Sequence, residues 1–256
     1  MKVATFNANS IRARLPHITA WLEKESPNIL CLQETRVEDN LFPKSAFEEL
    51  GFHVVFRGEK ARNGVAIVSK DPLDTFSFGF NGSRRDETRM VIGAVYGITI
   101  VNTYVPQGVA PGTEQFEYKL DFFQSLLDFF KNNFTPENPI LLAGDFNVAL
   151  APEDVYNHES LYGHVGHHPD EIKAVEAIKE WGFQDVFRIH HKGSGHYTFW
   201  DYRIKNAVKR KMGWRIDHLW ATYPLAKKST KAWIDVDSRL LEKPSDHTYL
   251  IAQFNL

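Results

Sequence analysis

Ile140-Leu141-Leu142-Ala143-Gly144-Asp145-Phe146-Asn147 is a short apolar run that stops in an acid and an amide. A run this short and this apolar reads as a strand, and polar residues at the ends of apolar strands are what a site built on sheet edges looks like. The same pattern recurs at residues 3–6 before Asn7 and at residues 29–32 before Gln33 and Glu34. Further strands are predicted at residues 53–56, 65–68, 91–95, 98–104, 217–221, 233–236 and 249–254, all rich in β-branched and aromatic side chains. Apolar stripes at helical spacing predict helices over residues 15–25 (Leu15, Ile18, Trp21, Leu22), 116–130 (Phe116, Leu120, Phe123, Leu127, Phe130) and 172–181 (Ile172, Val175, Ile178, Trp181). Pro169-Asp170-Glu171 fits the acidic first turn of the last helix, and Gly182 fits the position just past its end. So many strands for so few helices oppose a doubly wound parallel sheet, which alternates the two regularly. Two packed sheets with helices on their outer faces fit the order better. No repeat or Gly/Ser linker marks a boundary, so one compact domain over residues 1–256 is expected.

Composition narrows the function classes. With 43% hydrophobic and 24% charged residues the chain is ordinary globular material, which excludes collagen, coiled coil and wholesale disorder. Thirty Lys and Arg against 32 Asp and Glu give a formal charge of -2, so nucleic-acid affinity must come from a local patch. Cys31 is the only cysteine and lies in an apolar run, which rules out an intrachain disulfide and predicts a buried, inert thiol. No leader-like N-terminus and no apolar stretch near 20 residues is seen, so a cytoplasmic protein without a membrane partner is expected.

Four segments place an acid or amide beside an apolar strand: Phe6-Asn7-Ala8-Asn9, Leu32-Gln33-Glu34-Thr35, Gly144-Asp145-Phe146-Asn147 and Pro244-Ser245-Asp246-His247. Any one of them alone reads as a turn or a solvated end. Together they offer hard oxygen ligands and a histidine without a thiol, which describes a Mg²⁺ or Mn²⁺ site. A divalent ion of that kind neutralises phosphoryl charge and steadies a leaving oxygen. Asp246 beside His247 suggests an Asp–His pair, in which the carboxylate fixes the ring tautomer.

With Tyr104-Val105-Pro106-Gln107-Gly108 and Trp214-Arg215-Ile216-Asp217 added, the set resembles the exonuclease III class of abasic-site endonucleases from residue 1 to the C-terminus. The wider endonuclease/exonuclease/phosphatase superfamily shares the Asn, Glu, Asp-x-Asn and Ser-Asp-His elements. The resemblance implies an α+β fold, a four-layer αββα (DNase I-like) sandwich of two mixed β-sheets flanked by helices. It implies a Mg²⁺-dependent DNA-repair nuclease, with Mn²⁺ able to substitute. The activities would be abasic-site incision, 3′–5′ exonuclease and 3′-phosphatase or phosphodiesterase action on double-stranded DNA, by a monomer working at the nucleoid. Glu34 would hold the principal ion with Asn7 close by, and Asp145, Asn147, Asp246 and His247 complete the implied ligand set. Asp145 would orient or deprotonate the attacking water, Asn147 would bond a phosphate oxygen or serve a second metal position, and Tyr104 would face the scissile phosphate. Asp217 would orient its catalytic neighbours, and Asp246 would pair with His247, acting as base or charge stabiliser.

The implied substrate contacts are Asn9, Gln107, Phe199, Trp200, Arg203, Trp214 and Ile216. A pocket of Phe199, Trp214 and Ile216 can accept a base-less deoxyribose and exclude a normal nucleotide. Between the aromatic segments lie Arg203, Lys205, Lys209, Arg210, Lys211 and Arg215 with no acid among them, a candidate phosphate-facing patch; Arg84-Arg85 is a weaker one. Asn157, His158, His164, His167 and His168 depart from the family's usual Asn-rich stretch. With no helix predicted to set histidines at i and i+4, a partly exposed, mobile loop is expected there rather than zinc. A relative acting on RNA or lipid phosphate is the alternative enzyme, which the basic stretch and the apolar pocket oppose. A DNA-binding protein on an inactive nuclease fold is opposed by the presence of every expected acid and the histidine.

Overall fold

The computed structural model describes residues 1–80 and 86–256, so the Arg84-Arg85 candidate lies outside the described residues. In chain order the first elements are β1 (Lys2–Asn7), α1 (Ile11–Glu25), β2 (Ile29–Gln33), α2 (Lys44–Glu48), β3 (His53–Glu59), β4 (Arg62–Ser69), β5 (Thr75–Phe78), β6 (Met90–Val95) and β7 (Ile98–Tyr104). There follow α3 (Glu114–Asn133), β8 (Ile140–Asp145), α4 (His158–Leu161), α5 (Pro169–Gly182), β9 (Phe183–Asp185) and α6 (Val186–His190). The last are β10 (Asp217–Thr222), α7 (Tyr223–Ala226), β11 (Ser229–Asp235) and β12 (Tyr249–Phe254).

The strands form two six-stranded mixed sheets, ordered β11-β12-β1-β2-β4-β3 and β5-β6-β7-β8-β10-β9. Among the described residues each sheet has one parallel pair, β1 with β2 and β7 with β8. Side-chain alternation makes these strands apolar on both faces. Along β1 and β2, Val3, Ile29 and Cys31 point into the layer between the sheets, against Ile100, Leu141 and Leu219. Ala4, Phe6, Leu30 and Leu32 point outward, under Ile18, Trp21 and Leu22 of α1. On the other side Phe123, Leu127 and Phe130 of α3 and Val175 and Ile178 of α5 cover Val101, Ile140 and Leu142. Helix, sheet, sheet and helix are therefore stacked in that order.

All ten expected strands fall on observed ones, except that Val236 lies beyond β11 at the start of a 3₁₀ turn, and the three expected helices lie within α1, α3 and α5. Gly182 is the last helical residue rather than the one beyond it. β5 and β9 were not expected, being a four-residue edge strand with mostly exposed side chains and a three-residue strand running straight out of α5. Neither carries a periodic apolar signal long enough to read.

The inner faces change character along their length. Val3, Ile29, Ile100 and Leu141 give way to a buried seam in which Gln33 Nε2 donates to Thr5 Oγ1 (2.9 Å) and Asn102 Oδ1 (2.7 Å). Asn102 Nδ2 crosses between the sheets to Leu32 O (3.0 Å) and Ala66 O (2.9 Å). One step further stand Asn7, Glu34, Tyr104, Asp145 and Asp217. The register explains the grouping: Tyr104 lies opposite Asp145 across β7–β8, and Asp145 opposite Asp217 across β8–β10.

Candidate active site

Asn7, at the end of β1, joins the two sheets. Its Nδ2 donates to Glu34 Oε1 and to Asp145 Oδ2, both at 2.9 Å. Its oxygen accepts from the backbone N–H of Asn9 at 3.0 Å. Glu34 follows β2 in the left-handed region (φ 49°), a conformation that costs a non-glycine residue free energy and turns its carboxylate into the gap. Arg36 Nε donates to Glu34 Oε2 at 2.8 Å. Asp145 Oδ1 accepts from the backbone N–H of Asn147 at 2.8 Å, and Asn147 is itself left-handed (φ 53°). The strand before it approaches β7 so closely that a Cβ on Gly144 would lie 1.9 Å from Thr103 O, and its φ of 136° also demands glycine.

His247 stands between two acids. Its Nδ1 lies 2.8 Å from Asp217 Oδ2, and an ionised carboxylate only accepts, so this nitrogen carries a proton. Its Nε2 lies 3.8 Å from Asp145 Oδ2. Burial pulls the imidazole toward its neutral form, but Asp217 and then Asp145 more than reverse this and raise its pKa to about 10. Burial raises Asp145 to about 7, against the opposing pull of His247. Burial also keeps the Tyr104 phenol protonated, reinforced by the charges of Glu34 and Asp145.

A cavity of about 480 Å³ opens over these groups. Glu34, Tyr104, Asn147, Asp246 and His247 line one side, and Phe199, Trp214 and Ile216 form an apolar wall. Its volume suits a small ligand group such as a sugar. Gln107 and Arg203 also line it.

Oxygen or nitrogen atoms of Glu34, Asp145 and His247 lie within 4.8 Å of one another, and among the described residues this is the group able to hold a metal ion. Two carboxylates with spare lone pairs fit a hard divalent cation. The profile of the endonuclease/exonuclease/phosphatase family matches residues 4–247. The chain belongs to this family. It is 32% identical to exodeoxyribonuclease III of Haemophilus influenzae over 99% of this chain and all of that protein. An AP endonuclease structure from Archaeoglobus fulgidus superposes with a TM-score of 0.97 at 42% identity, covering all of both chains. The structure of the 3′ phosphatase NExo from Neisseria, bound to product DNA hairpin, gives 0.95 at 32% identity, again over all of both chains.

Within this endonuclease/exonuclease/phosphatase site, several expectations need correction. Asp246 does not pair with His247: its Oδ1 accepts from Asn9 Nδ2 at 2.9 Å, and the His247 Nδ1 is taken by another acid. The carboxylate on the histidine is Asp217. Asn7 turns its NH₂, not its oxygen, toward the two acids; Asn147 Nδ2 donates to Val105 O (2.9 Å) and Asp145 Oδ2 (3.3 Å), which occupies the donors expected to meet a phosphate oxygen but not its Oδ1. Asn9 braces Asp246 and is not among the residues lining the cavity. Trp200 is only 3% exposed and packs with Tyr197 and Ala207 behind the wall, away from the cavity. Arg215 is also buried, its Nε 2.7 Å from Asp154 Oδ1 and an NH₂ 2.8 Å from Asp185 Oδ2, so it cannot belong to a surface patch.

The histidine segment is built rather than loose. His167 is fully buried, with Nδ1 at 2.7 Å from Ala149 O and Nε2 at 2.8 Å from His158 Nδ1. His168 caps α5, accepting from the Asp170 N–H at 3.2 Å. Leu161, Val165 and Gly166 of this segment line the cavity, so it does border the site.

Arg36 and Thr198 were not foreseen. Arg36 could have been suspected as the cation two residues beyond Glu34. Thr198 Oγ1 accepts from the backbone N–H groups of Ile216 (3.2 Å) and Asp217 (3.1 Å), and nothing in its sequence neighbourhood signals that.

Proposed function

We propose that this protein is a Mg²⁺-dependent DNA-repair nuclease that hydrolyses phosphodiesters at abasic sites and 3′ ends of duplex DNA. The observation that carries the reading is the convergence of Glu34, Asp145 and the Asp217-held His247 under an apolar-walled cavity. Its relatives, an exodeoxyribonuclease, an AP endonuclease and a 3′ phosphatase, support DNA as the substrate.

When bound, Mg²⁺ supplies positive charge against the phosphoryl oxygens and the leaving oxygen. Glu34 and Asp145 would hold it, their carboxylates aimed by Asn7 and, for Glu34, by Arg36. Asp145 orients the attacking water and takes its proton, its plane fixed by hydrogen bonds from Asn147 and Asn7. His247, held as an imidazolium by Asp217, stabilises charge on the phosphate through its Nε2 proton. The Tyr104 hydroxyl, kept protonated, donates to a phosphate oxygen. Phe199, Trp214 and Ile216 accept the base-less sugar, Gln107 and Arg203 meet the flanking strand, and Asp246, braced by Asn9, shapes the pocket floor. The reading extends to a single-domain monomer acting in the cytoplasm; among the described residues no helix is long and apolar enough to cross a membrane.

The test is a duplex with one abasic site, beside a 3′-phosphate duplex and an RNA duplex, each with Mg²⁺ or EDTA. Cleavage of the DNA substrates with Mg²⁺ alone is expected. Glu34→Ala should lose on the order of 10²-fold or more in turnover while its affinity for DNA in EDTA stays nearly intact, since a lost metal ligand removes transition-state stabilisation. Cleavage in EDTA, or full turnover of Glu34→Ala at low Mg²⁺, would overturn the metal assignment.

A further inference from the structure

Behind the cavity, Lys119 of α3 and Glu171 of α5 form an ion pair at 2.5 Å with both side chains at 0% exposure. Desolvating two charges is costly, and apolar residues of similar volume commonly give equal or better stability. Helix packing alone therefore leaves this pair unexplained. Its hydrogen bonds supply the missing reason.

The Lys119 ammonium has three protons and three acceptors: Gln107 O (3.1 Å), Asn147 O (2.8 Å) and Glu171 Oε1 (2.5 Å). The other carboxylate oxygen of Glu171 accepts the backbone N–H groups of Gly166 (2.7 Å) and His168 (3.1 Å). Gln107, Asn147 and Gly166 all line the cavity, yet they come from three separate stretches: after β7, after β8 and before α5. Asn147 passes the connection on, because its own N–H binds Asp145 Oδ1.

We infer that Lys119 and Glu171 are positioning residues, a buried ionic strut that fixes the Asp145–Asn147 turn against the loops at 107 and 166. Each end of the strut grips backbone rather than side chains, so its effect reaches the site as geometry. A carboxylate displaced by even one ångström from its water loses on the order of 10²-fold in rate. The inference rests on the reading of Asp145 as the group that orients the water.

The experiment compares wild type with Lys119→Met/Glu171→Met and with Glu171→Gln, measuring melting temperature, kcat and KM on the abasic duplex with Mg²⁺, and duplex affinity in EDTA. The paired Met variant removes both charges together; it also leaves the backbone groups of Gln107, Asn147, Gly166 and His168 unpaired, so its melting temperature should fall while the protein stays folded. Its kcat should fall roughly 10- to 100-fold, with KM and DNA affinity changed less than about threefold. Glu171→Gln should lose a smaller share of kcat in the same pattern. A folded Met/Met protein with wild-type kcat would overturn the strut as a positioning device. If that variant does not fold, an unchanged kcat in Glu171→Gln overturns it instead. Wild-type protein that leaves the abasic duplex uncut defeats the reading of the site itself, which separates the two failures.

Discussion

Replacing Asp217 by Asn keeps the size of the side chain but removes the charge that holds His247 as an imidazolium. The expected loss is on the order of 10²–10⁴ in kcat, read in single-turnover cleavage of abasic duplex. Asp246→Asn keeps a partner for Asn9 and should cost less than about tenfold. The reverse ranking would restore Asp246 as the partner of the histidine. Chemical type at these positions was legible in the sequence: the acids, amides and histidine all gather at one end of the sheets. Direction was not. Asp246 and His247 are neighbours along the chain, but Asp246 turns to Asn9, and the partner of the histidine arrives from β10. Trp200 and Arg215 make the same point, an aromatic and a cation in the right segment whose side chains turn inward.

β10 enters the sheet through a buried ionic knot. Asp154 takes Arg215 on both oxygens, with Arg188 as a second cation, and this holds its carboxyl well below the usual range even though burial opposes it. The Arg215 guanidinium donates toward His218 Nδ1 at 3.3 Å, so His218 Nε2–H is the donor to Val148 O at 3.0 Å. Burial, then the Arg215 charge, lower His218 from 6.5 to about 4. The unfolded chain therefore binds a proton that the folded one refuses between those two values. Stability from this group is intact above pH 6.5 and drains away as pH falls toward about 4, by at most about 3 kcal/mol. Chemical denaturation across pH 4–7 should show a shallower decline for His218→Gln, which can keep both hydrogen bonds. Identical slopes would mean His218 is not the titrating group. At this scale the sequence spoke clearly wherever a strand is covered on both faces. It was silent for the exposed edge β5 and the three-residue β9, where pairing with a neighbour, not composition, makes the strand.

With a formal charge of -2, the molecule has no net basic charge to draw it to DNA, so the proposed phosphate contacts fall to a local patch, for which Lys205, Lys209, Arg210 and Lys211 are exposed candidates. Converting Lys209, Arg210 and Lys211 to Ala should flatten the slope of log K against log[salt] by about 0.9 for each phosphate no longer neutralised. Filter binding should show the same weakening for abasic and intact duplex, since cations on the phosphates read no base information. An unchanged slope would make the run an ordinary solvated surface. The layered architecture could be read from the ratio of strands to helices, but the strand order could not, because it depends on which distant segments meet. One such meeting reaches beyond the folded state. β12 lies between β11 and β1, pairing Lys2 with Gln253 and Thr5 with Leu250, and His247 sits just ahead of it. A chain still on the ribosome and short of residue 249 has an unfilled gap in its first sheet and no anchored histidine. Without β12 the first sheet has no strand between β11 and β1, so a translation product cut short there is expected to be a defective fold.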